Sequence, residues 1–184
     1  MQGQLQAIIE DFESAQQRLD DLVSGLSDEQ WSGTVDPTRW SASQCVQHLN
    51  LTSRAFIPIV REALEKCRVL DGKPPVRYRL DFSGWMVWRA SGPTRGFGRI
   101  STTPAFVPTG NPSRKVVLDE FAQLQQEQVK CVREADGLPL GKVRIVSPFN
   151  SRLRYSVYSA LSILPRHQHR HIRQAEAAVK ALRA

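Results

Sequence analysis

His167-Gln168-His169-Arg170-His171, set inside the apolar-periodic run Leu164–Arg183, is the stretch from which the rest of the chain is read. Leu153 to Arg183 is predicted as one helix, with Val157, Ala160, Leu161, Leu164, His167, His171, Ala175, Val179 and Leu182 along its inner face. His167 and His171 stand four residues apart, so both imidazoles leave the same face about one turn from each other. Two ring nitrogens at that spacing can grip one divalent metal ion. His169, two residues from either partner, falls toward the opposite face and reads as a surface residue. Pro165 interrupts the helix just before the histidines, where a kink is expected. A third ligand has to come from elsewhere, and the chain has only four histidines: these three and His48.

Working upstream, residues 4 to 24 form an amphipathic first helix, with Leu5, Ile8, Ile9, Phe12, Leu19, Leu22 and Val23 at helical spacing and Gly25 closing it. Ser27–Trp31 reads as a short turn, and Gly33–Arg39 as a loop. Trp40-Ser41 opens the second helix, where Ser41 and Gln44 form the two halves of a capping box. Cys45, His48, Leu49, Thr52 and Phe56 then share one stripe, which puts His48 among inward-facing positions. This helix is expected to run to about Cys67 or Leu70, with Pro58 kinking it. Cys45, one turn from His48, reads as a small buried hydrophobe.

Residues 71–112 hold six prolines and six glycines, so they are read as a long irregular crossover. A short helical piece is predicted at Phe82–Ala90, because Phe82, Trp85, Met86 and Trp88 need burying. The crossover is a candidate lid or pocket wall. A third helix opens at Ser113, carries Val116, Val117, Leu118, Phe121, Leu124, Val129 and Val132, and ends by Gly137. Leu138–Asn150 is a connector with one extended piece at Val143–Val146. The sum is an all-α, four-helix bundle over a single domain, residues 1–184.

Composition sets the bounds. With 41% hydrophobic and 23% charged residues, the chain reads as globular. No run approaches the length of a membrane span, so no membrane partner is expected. No secretory signal is visible, and Cys45, Cys67 and Cys131 form no disulfide pattern, which favours a reducing cytoplasm. The net charge of +7 would suit an anionic partner. Its densest stretch is Lys73–Arg99, where Lys73, Arg77, Arg79, Arg89, Arg95 and Arg99 face one acid, Asp81. That stretch reads first as a solvated basic surface and second as a pocket wall for a small anion. No recognition helix, zinc finger or RNA-binding signature accompanies it, so nucleic acid is not an expected partner.

Trp40-Ser41 followed by His48-Leu49, together with His167-x-x-Arg170-His171-x-x-Gln174, resembles the DinB/YfiT-like family of metal-dependent enzymes. The resemblance covers the whole chain in helix order. It implies a four-helix bundle with a divalent metal held by His48, His167 and His171, acting on a small-molecule substrate, and homodimers are common in such a family. It further implies either thiol-dependent S-transfer or isomerisation, with a low-molecular-weight thiol as co-substrate, or hydrolysis.

Imidazole chemistry is consistent with this. Three neutral imidazoles suit zinc, nickel, iron or copper and leave a position open for water or substrate. A metallopeptidase of the His-Glu-x-x-His kind is excluded, since Gln168 stands where its glutamate base belongs. No catalytic acid or base can be named from sequence. Gln174 is a candidate for orienting a ligand ring. Two non-catalytic readings stand beside the enzyme: a metal-binding sensor or stress protein, and a basic helical protein associated with nucleic acid.

Overall fold

The computed structural model describes residues 1–71, 75–92 and 102–183. Lys73, Arg95 and Arg99 of the basic stretch, and the part of the crossover at 93–101, lie outside the described residues.

Four long helices make the bundle: α1 (Gly3–Ser24), α3 (Ala42–Arg68), α5 (Arg114–Glu134) and α6 (Val157–Leu182). Between α1 and α3 lies one short helix, α2 (Asp28–Ser32), and α4 (Phe82–Ala90) sits in the crossover. The stripe Leu5, Ile8, Ile9, Phe12, Leu19 and Val23 of α1 is buried, as its periodicity requires. Serines start four of the helices, α2, α3, α5 and α6. Ser41 and Gln44 form a reciprocal capping box on α3, and Ser27 and Gln30 do the same on α2. Ser113 caps α5 through the Val116 N–H. Gly137, just past α5, adopts φ +78°, a conformation open to glycine at little cost. Pro58 and Pro165 both lie inside their helices.

Three expectations need correction. The last helix starts at Val157, not Leu153, because the preceding residues form a strand. Strands β1 (Arg144–Ser147) and β2 (Asn150–Ser156) pair antiparallel, with Ile145 opposite Tyr155 and Val146 opposite Arg154. Ile145 and Tyr155 are both buried against the bundle, and Ser156 caps the new helix through the Ser159 N–H. The extended piece at 143–146 is thus half of a hairpin. Second, α4 has the predicted bounds but not the predicted burial. Phe82, Trp85 and Met86 are exposed, and Val87 and Trp88 are the residues packed against the core. Third, Val116 of α5 is exposed.

Candidate metal centre

α3 and α6 cross where their histidines face each other. His48 from α3 and His167 and His171 from α6 place ring centroids 4.4 Å (48–171), 4.5 Å (167–171) and 5.3 Å (48–167) apart. One nitrogen from each ring can be chosen so that all three lie within 4.8 Å of one another, a set that could hold a metal ion. His48 is 2% exposed and His171 8%, while His167 is part-buried. Aromatic rings wall the cluster. Trp40 lies 4.8 Å from His48 on one side, and Phe149, in the β1–β2 turn, lies 5.9 Å from His167 on another.

Hydrogen bonding tests whether a metal fits. His48 Nδ1 lies 2.7 Å from the backbone carbonyl oxygen of Phe106. A carbonyl only accepts, so Nδ1 carries the proton and Nε2 keeps its lone pair. This is the outer-shell contact that commonly orients a metal-ligating imidazole. His171 Nδ1, in contrast, is buried without any hydrogen-bond partner. A buried orphan of that kind needs an explanation, and a cation at the centre of three imidazoles supplies one.

Electrostatics points the same way. Burial pushes the His167 imidazole down to about 3, helped by the positive charges of His48 and Arg170 when they are present. Burial also carries His171 well below 6.5, again with His167, His48 and Arg170 adding repulsion. For His48, burial lowers the pKa against the opposing pull of the Phe106 carbonyl. All three rings are therefore neutral at pH 7, with no proton to displace before a metal binds.

Neighbouring residues take other roles. Arg170 donates from Nη1 to the Ala90 carbonyl at 2.9 Å, at the C-terminus of α4, where its charge still reaches the imidazoles. Gln168 turns away from the cluster and exchanges two amide hydrogen bonds with Gln125 of α5, at 2.8 and 3.0 Å. No base occupies the place a metallopeptidase would need. His169 points to α1, its Nε2 lying 3.1 Å from the Asp11 carbonyl oxygen. Gln174 is exposed and near enough to favour protonated His171, yet it leaves Nδ1 unsatisfied. Cys45 is a buried thiol pushed up to about 12 by desolvation and stands outside the donor set. Of the four tryptophans, Trp31 is buried, Trp40 lines the site and Trp88 lies 3.8 Å beneath the Arg166 guanidinium; Trp85 is exposed. Sequence reasoning missed Phe106 and Phe149. A backbone acceptor carries no residue-type signal, and Phe149 reaches the site only through the unforeseen hairpin turn.

A model described as the DinB superfamily matches residues 11–175. Among solved structures, the chain is similar to YfiT from Bacillus subtilis, described as a probable metal-dependent hydrolase with an unusual four-helix bundle topology. The two share 15% identity at a TM-score of 0.61, covering 99% of this chain and 89% of that one. No curated protein matches the chain.

Proposed function

The chain belongs to the DinB superfamily, and on that premise we propose that it is a metal-dependent enzyme that hydrolyses a small molecule at the His48–His167–His171 centre. One observation carries the reading: three neutral imidazoles from two helices converge, one oriented by a carbonyl and one buried with an unused nitrogen. A divalent metal held there would supply Lewis acidity and lower the pKa of a bound water or thiol. The protein's own part is to present three lone pairs, keep them unprotonated by burial, and fix the His48 ring through Phe106. Trp40 and Phe149 give the site apolar walls, which suits a substrate with a compact apolar body beside its polar reacting group.

Thiol transfer is the second reading, and the donor set favours it in one respect. Among the described residues no Asp or Glu joins the three histidines in the donor set, so no carboxylate would share the metal with them. A thiol, already close to ionising at neutral pH, needs less help than water.

Both readings face the same experiment. Tag-free protein purified without chelators is assayed for bound metal, then for turnover on a panel of small esters and amides, with and without low-molecular-weight thiols. About one equivalent of metal is expected, falling at least about tenfold in affinity for His48→Ala, His167→Ala or His171→Ala, with turnover lost in parallel. Metal-free wild-type protein, or turnover that survives His48→Ala, overturns the proposal. Turnover confined to thiol-containing mixtures selects the second reading.

A further inference from the structure

α4 wears its apolar stripe outside. Phe82, Trp85, Met86 and Arg89 recur at the spacing of one helix face, and that face is turned to solvent. Phe82 is 75% exposed, Trp85 49% and Met86 44%. The helix cannot roll to hide them. Gly84 on the inner face is packed so tightly that a Cβ there would stand 2.2 Å from Ser159 Oγ of α6. Asp81, at the start of α4, accepts hydrogen bonds from Ser159 Oγ at 2.6 Å and from the Ser156 N–H at 3.0 Å, which pins the rotation.

The neighbouring hairpin is basic. Ser83 Oγ donates to the Arg154 carbonyl at 2.6 Å, and Arg144 donates to Ser83 Oγ at 3.0 Å, so β2 and α4 present adjoining outer surfaces. Arg144, Val146, Arg152 and Arg154 are exposed there. Residues 75–92 and 142–156 together hold seven Lys and Arg against one acid, Asp81, so they contribute +6 to a chain whose net charge is +7. Asp81 is already engaged within the fold.

We propose that the outer face of α4 and the β1–β2 hairpin is a peripheral docking surface for a bilayer of anionic lipid. Aromatic and thioether side chains on an exposed helix face, beside the arginines of the adjoining hairpin, match the interface between acyl chains and charged headgroups. That no described helix is long and apolar enough to cross a membrane concerns spanning and leaves surface contact untouched. A second copy fits worse, because a two-fold contact would set the exposed hairpin arginines, Arg144, Arg152 and Arg154, against their own copies. Single-stranded nucleic acid would satisfy the charge but leave Met86 and Val146 in water. The Phe82 and Trp85 rings are also stacked on each other at 6.3 Å and 26°, which spends part of the ring surface that bases would need.

The test uses the full chain and co-sedimentation with phosphatidylcholine vesicles, with and without phosphatidylglycerol, at low and high salt. Binding is expected only with phosphatidylglycerol, weakening as salt rises. Phe82→Ser with Trp85→Ser, and separately Arg152→Glu with Arg154→Glu, should each lower partitioning at least about tenfold. Lys180→Glu, on α6, should lower it by less than about twofold. Melting midpoints confirm that each variant folds. Independently of any loss of fold, acyl-brominated vesicles should quench part of the wild-type tryptophan emission, and Trp85→Phe should abolish that part. Equal binding to both vesicle types, retention by either folded double variant, or an equal loss in Lys180→Glu overturns the proposal. So does tighter binding to a single-stranded oligonucleotide than to vesicles, or a stable dimer that shields Trp85 from quenching.

Discussion

His167 shows how much the site asks of single residues. Its imidazole is held at about 3 by burial first and by neighbouring positive charge second, against 6.5 in an open chain. The folded state thus binds its proton far later than the unfolded state as pH falls. Stability from this group is complete above pH 6.5 and is lost progressively from there down toward pH 3. At pH 5 the loss is about 2 kcal/mol from His167 alone, and His171 and His48 add to it in the same direction. Metal-free protein should therefore melt at steadily lower temperature between pH 6.5 and 5, and His167→Gln should flatten that slope. Adding zinc at pH 7 should raise the midpoint, since a ligand that binds only the folded state stabilises by mass action. Thermal melts across pH, with and without chelator, check both. A metal-free melting midpoint that is flat over this range would remove the claim that the three rings are buried and neutral.

At the scale of elements, Asp81 joins four of them: α4, β1, β2 and the start of α6. Burial alone would raise its pKa, but hydrogen bonds from Ser159, the Ser156 N–H and Ser83 outweigh that and hold it at about 2, below the ordinary 3.8. Its carboxylate also pairs with Arg144 at 2.7 Å. A depressed carboxylate contributes stability above pH 3.8 and loses it as pH falls toward 2, an effect of about 1 kcal/mol once solvent screening of this partly exposed group is allowed for. Asp81→Asn should remove this acid limb, seen as a flatter urea midpoint between pH 4 and 2.5. Gly84→Ala beside it should cost about 2–3 kcal/mol, because the new methyl meets Ser159 of the adjoining helix. Neither role was legible in the sequence, although α4's bounds were. Periodicity marks an amphipathic helix but not which side of it faces the core, so Phe82, Trp85 and Met86 were read as buried. The hairpin was hidden for a related reason. In β2 only Leu153 and Tyr155 alternate with polar residues, too few to stand out from the helical stripe that follows them. The Ser41–Gln44 capping box was legible, because it bonds within one turn and needs no tertiary partner, whereas Ser27–Trp31 reads in sequence only as a short turn and its own box emerges in the structure. The two α6 histidines were legible from spacing alone; His48 needed the apolar stripe and the family pattern, since no local rule ties residue 48 to residue 171.

Across the whole molecule, one polar layer ties the four long helices together beside the three-histidine cluster. Gln125 of α5 and Gln168 of α6 exchange amide hydrogen bonds, Gln125 also donates to the Phe12 carbonyl of α1 at 2.7 Å, and Gln128 donates to Ser53 Oγ of α3 at 3.0 Å. All three glutamines are buried. Apolar faces alone tolerate several sliding registers, whereas reciprocal amides tolerate few, so this layer can fix how far α6 is advanced along α5. Gln168 adjoins His167 in sequence, and an error in that advance would carry both His167 and His171 away from His48. Gln125→Leu should therefore destabilise the fold by about 1–3 kcal/mol, because the Gln168 amide is left buried without a partner and the Phe12 carbonyl keeps only its bond within α1. Gln168→Leu should do the same for Gln125. The double Leu variant removes both amides of the pair, and its loss should fall short of the summed single losses by at least about 1 kcal/mol in a double-mutant cycle. Metal affinity separates this account from simple filling of space. If the layer sets register, the double variant should regain stability yet bind metal more weakly than wild type, since two leucines pack without specifying an offset. Full recovery of both would mean that the three histidines are aligned by the apolar core alone, and that the glutamine layer has no part in placing the site.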